Sequence, residues 1–296
     1  MIETLDFLEE VLPSDGCILL ATPQKEGRGF IHYPCKTKDE AARKCHELDY
    51  KEQQVYFACA TYKQDCYVDE AGKTRYRTAE NAYMAKSFWL DIDCGIEKAS
   101  EGKGYETPKA AVNALKVFCA QASLPIPMIV ASGNGLHCYW VLETSVDKES
   151  WKEVALQLKA LTQHLQFLAD DSRTSDIASI LRPVGTHNWK PACRGKEIKR
   201  MFNSAPMAFE DFSQTIQLAY QQYCAVLMNQ NLSINDDLIR NEPETPENVN
   251  RIKSALASIN PDCDRLKWRN ICFALHSTNW SCAEALARSW SSGEFL

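Results

Sequence analysis

The chain has 296 residues, 45% hydrophobic and 24% charged, with a net charge of −6 and only 12 Gly and 12 Pro. That balance excludes a disordered chain, which needs low hydrophobicity together with high net charge, and no apolar run approaches the roughly 18 residues of a membrane-spanning helix. At about 150 residues per domain the length implies two units, or one large unit with an appendage. The N-terminus, MIETLDFLEEVLPSDG, is acidic and lacks the basic stretch that opens a secretory signal.

In chain order, ETLDFLEEVL reads as a short amphipathic helix, CILLA and GFIHY as strands, TKDEAARKCHEL as a helix entered at a threonine, and QVYFACAT as a strand. A polar stretch follows from Tyr62 to Ala85, with a turn at Glu70-Ala71-Gly72. SFWLDID is a strand whose alternation sets Phe88, Leu90 and Ile92 on one face and Trp89, Asp91 and Asp93 on the other. Thr107-Pro108 opens a helix with a capping threonine and a proline in the first turn. MIVA, SGNG and LHCYWVLE form a hairpin about a glycine turn, and Trp151, Val154, Leu158, Leu161 and Leu165 recur on one helical face. The mixture implies an α/β or α+β fold, helices packed on a sheet.

The expected domains are 1–203, a core; 204–248, a helix (FEDFSQTIQLAYQQYCAVL) and acidic linker; and 249–296, a small all-α unit with Trp268, Trp280 and Trp290. Because the sequence stops at SSGEFL directly after a helical pattern, further sequence beyond it is expected. Residues 204–250 hold seven acids against Arg240 alone, so the rest of the chain is neutral on balance. Within that remainder Lys190, Arg194, Lys196, Lys199 and Arg200 cluster against Glu197, a patch suited to a phosphate backbone. The 13 cysteines are odd in number and include no CxxC pair. Structural zinc usually shows that spacing, so the loose group Cys35, Cys45, His46, Cys59 and Cys66 is read as reduced, mostly buried side chains.

Three segments carry chemistry. In WLDID, Asp91 and Asp93 at i and i+2 project together, and two like charges so close call for a proton or a divalent cation; hard oxygens suit Mg²⁺ or Mn²⁺. In SGNGLH, paired glycines let the backbone approach a phosphate, with Ser132 before the turn and His137 on the returning strand. In LADDSRTSDIASILRPVGTHNWK, the acids Asp170, Asp171 and Asp176 lead into Arg182, Asn188 and Lys190. Carboxylates for metals followed by cations for phosphate oxygens are what a metal-bound triphosphate requires. Taken singly, each segment is equally a solvated strand edge, a hairpin turn or a charged loop.

In this order and spacing the three motifs resemble those of the archaeo-eukaryotic primase superfamily, in the primase-polymerase branch of phages, plasmids and mobile elements, over about residues 50–200. The WRNICFALHST…ALARSWS pattern resembles a primase C-terminal helical domain. One departure is Ala178-Ser179, where members often carry an arginine.

The resemblance implies a primase-polymerase catalytic core with an RNA-recognition-motif-like second half, followed by a small all-α domain. It further implies a template-dependent nucleotidyltransferase that makes primers de novo on single-stranded DNA and extends them as a DNA polymerase. Asp91, Asp93 and Asp171 or Asp170 would bind two Mg²⁺ or Mn²⁺ ions. Ser132, Asn134 and His137 would contact the incoming dNTP or NTP with Arg182, Asn188 and Lys190, and Arg194, Lys196, Lys199 and Arg200 would meet DNA. His137 is expected as a phosphate ligand rather than a general base. A fused or separate helicase is an expected partner, and the cytoplasm, a host's if the protein is phage-encoded, the expected compartment. The main rival is a catalytically silent replication initiator, against which the clustered acids speak. A rolling-circle nickase lacks its HxH here, and a small-molecule nucleotidyltransferase would differ in needing no template.

Overall fold

A computed structural model describes residues 1–24, 29–193, 195–225, 243–263, 265–278 and 280–294. The chain divides into two compact units, Met1–Val226 and Leu227–Leu296. None of the described helices is long and apolar enough to cross a membrane.

The first unit is a mixed α/β structure with two principal antiparallel sheets. Its strands are β1 (Ile18–Pro23), β2 (Phe30–Cys35), β3 (Tyr56–Ala58), β4 (Ala60–Tyr62), β5 (Tyr67–Val68), β6 (Thr74–Arg75), β7 (Ala82–Ile92), β8 (Met128–Ala131), β9 (Leu136–Asp147), β10 (Ile180–Leu181), β11 (His187–Asn188), β12 (Lys196–Glu197) and β13 (Lys199–Phe202). One sheet has the order β10-β3-β1-β2 and the other β13-β8-β9-β7-β4, while β5-β6 and β11-β12 are separate ribbons. Cys59 alone separates β3 from β4, so the chain passes from one sheet directly into the other.

The helices are α1 (Ile2–Val11), α2 (Lys38–Tyr50), α3 (Ile96–Ser100), α4 (Pro108–Gln121), α5 (Lys148–His164), α6 (Asp171–Thr174) and α7 (Phe209–Tyr220). Thr37 caps α2 by accepting from the Glu40 N–H, and Thr107 caps α4 from the Ala110 N–H, each satisfying a donor the helix leaves open. Asp147 caps α5 twice over, accepting from Glu149 and Ser150. The successive β7, α4, β8, β9 and α5 follow the β-α-β-β-α order of an RNA-recognition motif. The outer place beside β7 is taken by β4, an upstream strand, and β13 closes the opposite edge.

Helix α1 joins the two sheets: Phe7 stands edge-on to Phe57 of β3, ring centroids 5.4 Å apart, and to Tyr139 of β9 at 5.6 Å. Trp151, Val154, Leu158 and Leu161 form the buried face of α5, as their spacing predicts. Trp151 stacks on Trp89 at 4.6 Å and on Phe88 at 5.7 Å, and its indole donates to the Ser87 carbonyl. The expected two-faced β7 is therefore covered on both faces, with Phe88, Trp89, Leu90 and Ile92 all buried. The middle of this central strand, buried on both sides, reads as a continuous apolar run, and Asp91 near its end is less buried.

Helix α7 departs from the expected domain division. Its Phe212 and Ile216 are buried in the first unit's core, and Phe212 stacks on Phe88 at 4.5 Å, so a segment assigned to the linker region packs with the sheet. The C-terminal unit contains helices Pro246–Ala257, Arg265–Ser277 and Ala283–Ser291 around Leu256, Leu275, Leu286 and Trp290. Of its tryptophans, Trp290 is buried and donates to the Ile259 carbonyl, whereas Trp268 is exposed. Much of the acidic stretch 204–250 lies outside the described residues.

Replacing Trp151 with alanine removes the stacking partner of two β7 rings and should cost about 3–5 kcal/mol. Urea unfolding of the variant beside the native chain measures it; a loss below about 1 kcal/mol would contradict this packing.

Candidate active site

The site forms where β7 leaves the covered sheet. Asp91 is in register with His137 of β9, and Asp91 Oδ1 lies 3.7 Å from His137 Nε2. The β8–β9 turn closes with the Ser132 N–H donating to the Gly135 carbonyl. Gly133 has φ +105°, a conformation L side chains rarely adopt, and a methyl at Gly135 would collide with the Ile92 carbonyl oxygen. Glycine at these two places brings the turn against the end of β7.

The third segment folds back onto the same end. The Asp170 N–H donates to the Asp91 carbonyl at 2.8 Å, and Asp170 caps α6, its carboxylate accepting from the Ser172 N–H and hydroxyl. Arg173, one turn on, places Nε 3.2 Å from Asp91 Oδ2 and 3.3 Å from Asp170 Oδ2. Its main-chain carbonyl accepts from the Trp89 indole and its guanidinium donates to the Ile180 carbonyl. Asp93, half-exposed, pairs with Lys98 at 3.0 Å.

Asp91, Asp93, Ser132, Asn134, His137, Arg182, Asn188 and Lys190 all line one cavity of about 510 Å³. These are the sequence-predicted acids of the first motif and all six expected nucleotide contacts. Asp170 and Asp171 line an adjoining cavity of about 410 Å³ that shares Asp93 and Lys98. The two differ in orientation: Asp170 meets Asp91 through Arg173, whereas the Asp171 carboxylate accepts from Gln163 at 2.6 Å.

The strand carrying Asn188 is held from behind. Buried Asp49 accepts from the His187 N–H, the His187 ring and the Trp189 indole, each at 2.8 Å. On the cavity side the Asn188 amide donates to the Ser132 carbonyl, tying this strand to the glycine turn.

The basic cluster is dispersed. Lys196 donates to Asn134 at 2.5 Å, Arg200 is engaged by Glu10 at 2.8 Å, Lys199 is exposed on β13, and Arg194 lies outside the described residues. Among the described residues of the group only Lys190 lines the cavity. The described cations of the group lie on different elements, Lys196 on β12 and Lys199 and Arg200 on β13.

Burial pushes the Asp91 carboxyl up to about 6; the Arg173 guanidinium opposes the rise, and the charges of Asp93 and Asp170 add to it. Burial, with the Arg182 and Arg173 guanidiniums, holds His137 well below its usual 6.5, so its imidazole is neutral near pH 7. A neutral imidazole can donate one hydrogen bond to a phosphate oxygen but is a weak base. Among the described residues no three His, Cys, Asp or Glu side chains are grouped to hold a metal ion. The carboxylates nevertheless have the hard-oxygen chemistry of a Mg²⁺ or Mn²⁺ site.

Four contributors escaped the sequence reading: Arg173, Lys98, Tyr56 and Gln54. Arg173 carried a signal, since it stands three residues after Asp170 and between the acids and Arg182, where Ala178-Ser179 had left the segment short of a cation. Tyr56, on β3 of the other sheet, and Gln54, just before that strand, lie far upstream, and nothing local marks them.

No protein-family model matches the chain, and no curated protein matches it. Among solved structures it is similar to the AEP domain of the cyanophage S-2L primase-polymerase, at 12% identity and TM-score 0.47 over 68% of this chain and 89% of that one. It is also similar to the catalytic domain of primase RepB′ in complex with initiator DNA, at 12% identity and TM-score 0.45 over 77% and 98%. A third is the polymerase domain of Mycobacterium tuberculosis ligase D in complex with DNA, at 13% identity and TM-score 0.36 over 75% and 90%. At such identities and scores the likeness assigns no residue a role.

Because the folded Asp91 titrates near 6 rather than 3.8, its ionisation costs stability, and that cost grows as pH rises from 3.8 through 6 and is complete above it. An Asp91→Asn variant escapes the cost. In metal-free buffer the variant's stability relative to the native chain should therefore improve by about 1–3 kcal/mol between pH 4 and pH 8. Chemical denaturation across that range checks it, and a difference that does not change with pH would contradict the assignment.

Proposed function

We propose that the protein is a template-dependent nucleotidyltransferase that synthesises primers de novo on single-stranded DNA and extends them as a DNA polymerase. The observation that carries this reading is the convergence of the Asp91 and Asp93 carboxylates with Arg173, Arg182 and Lys190 on a single cavity. Acids and cations facing one another across such a space suit a triphosphate approached through divalent ions. The motif resemblance to archaeo-eukaryotic primases supports the same chemistry.

In this reading Asp91, Asp93 and one of Asp170 and Asp171 hold the metals. Asp170 is the better candidate of the two because it shares Arg173 with Asp91. When bound, two Mg²⁺ or Mn²⁺ ions would lower the pKa of the attacking 3′-hydroxyl and offset charge on the leaving pyrophosphate. Ser132, Asn134 and the neutral His137 supply polar contacts to the nucleotide, and Arg182, Asn188 and Lys190 of the same cavity meet its phosphates. Lys196 on β12 and Lys199 on β13 remain candidates for DNA contact.

A second reading has its own observation. Arg173 and Lys98 already pair with the acids, and among the described residues no metal-holding group is assembled. That arrangement favours a catalytically silent initiator that binds DNA without turning over nucleotides.

The full chain incubated with single-stranded DNA, labelled nucleotides and Mn²⁺ or Mg²⁺, without primer, separates the two. The expected result is template-dependent product that falls about 100-fold or more in an Asp91→Ala/Asp93→Ala variant. Product only when an annealed primer is supplied would mean a polymerase that does not initiate. Silence in both formats with DNA binding intact would establish the initiator.

A further inference from the structure

Among the cations that line the cavity, Arg182 alone is buried, 7% exposed, while Lys98 and Lys190 reach solvent and Arg173 is already paired with carboxylates. A buried guanidinium ordinarily sits against a carboxylate, because desolvating an unpaired charge is costly. Here the side chains that hydrogen-bond it are neutral, and the Asp91 carboxylate acts on it only through space. One terminal nitrogen, Nη2, donates to the Tyr56 hydroxyl at 2.8 Å and to the Gln54 amide oxygen at 3.1 Å, and the guanidinium carbon lies 4.8 Å from the Tyr56 ring centroid. Its Nε has no hydrogen-bond partner.

The two neutral partners are themselves locked together. The Tyr56 hydroxyl donates to Gln54 Oε1 at 2.8 Å, which commits the phenolic proton and leaves the oxygen's lone pairs for Arg182. Strand register fixes the rest: Leu181 pairs with Phe57 and Ala21 with Tyr56, so Arg182 follows β10 at the position facing Tyr56, and Phe30 of β2 meets the other side of the tyrosine ring at 6.0 Å. The sheet that carries none of the acids thus presents an oriented cation to the cavity.

We propose that Tyr56 and Gln54 are positioning residues that hold Arg182, with no carboxylate hydrogen-bonded to it, for the phosphates of a bound nucleoside triphosphate. This rests on the nucleotidyltransferase reading of the cavity. Neutral partners orient the guanidinium without spending its charge, and the aromatic face limits its rotation. An acid in either place would cancel the charge the substrate is to meet.

The test uses the full chain and dGTP with Ca²⁺, which permits binding to be followed by calorimetry without turnover, in Tyr56→Phe, Gln54→Ala, Arg182→Ala and the Tyr56→Phe/Arg182→Ala pair. Tyr56→Phe and Gln54→Ala should each weaken dGTP about 5–20-fold, with melting temperature and single-stranded DNA affinity unchanged. Tyr56→Phe should have no further effect once Arg182 is alanine, since its action passes through that side chain. On an annealed primer-template the same two variants should raise KM for dGTP with kcat within about threefold, a split that a general structural role does not produce. Native-like dGTP binding in Tyr56→Phe, or an equal loss in the Arg182→Ala background, overturns the positioning role while leaving the nucleotidyltransferase reading standing. Failure of the native chain to bind dGTP overturns both.

Discussion

The site depends on one small contact, the turn at Asp170–Arg173 laid against the end of β7. The Asp170 N–H on the Asp91 carbonyl joins two segments distant in sequence, and Arg173 between their carboxylates makes the approach of two negative charges tolerable. The same arginine accepts the Trp89 indole on its carbonyl and donates to the Ile180 carbonyl, so the turn is anchored to the core on one side and to β10 on the other. Arg182 follows directly from β10. Losing this contact would leave like charges unopposed and free the strand that delivers the buried cation.

The two sheets contribute opposite charge. The β7–β9–β8 sheet supplies Asp91, Asp93, His137 and the Ser132–Gly135 turn, whereas the β10-β3-β1-β2 sheet supplies Arg182 through Tyr56 and Gln54. Their mutual placement rests on Phe7, whose ring contacts both, and on the single residue between β3 and β4. Stacked rings at Trp89, Trp151, Phe88 and Phe212 stiffen the acidic side. Asp49 stiffens the cationic side by taking three donors that flank Asn188. Such bracing by rigid elements is what holding charged groups at fixed separations requires.

Much of this was legible. The capped entries at Thr37 and Thr107, the buried stripe of α5 and the glycine turn all follow from interactions within a few residues, and local spacing records them. Three short segments likewise held Asp91, Asp93, Ser132, His137, Arg182, Asn188 and Lys190, which line one cavity. The burial of Trp89 was not legible: alternation set it beside Asp91, but Trp151 stacks on it and the Arg173 carbonyl takes its indole N–H, and such coverage is a property of distant partners. Helix α7 was expected as a helix but outside the 1–203 core for the same reason, since the acidic residues around it mask an apolar stripe that only the sheet reveals.

The sequence alone determined which side chains could carry charge chemistry, the elements that bear them and the mixed α/β class, because these depend on residue type and short-range periodicity. Tertiary structure decided which of those charges meet. It turned Asp170 toward Asp91 and Asp171 toward Gln163, took Arg200 away to Glu10, brought in Arg173 and seated Arg182 on Tyr56. Each of these outcomes is a contact between segments whose separation is set by strand pairing and helix packing, and no local pattern encodes the distance between them.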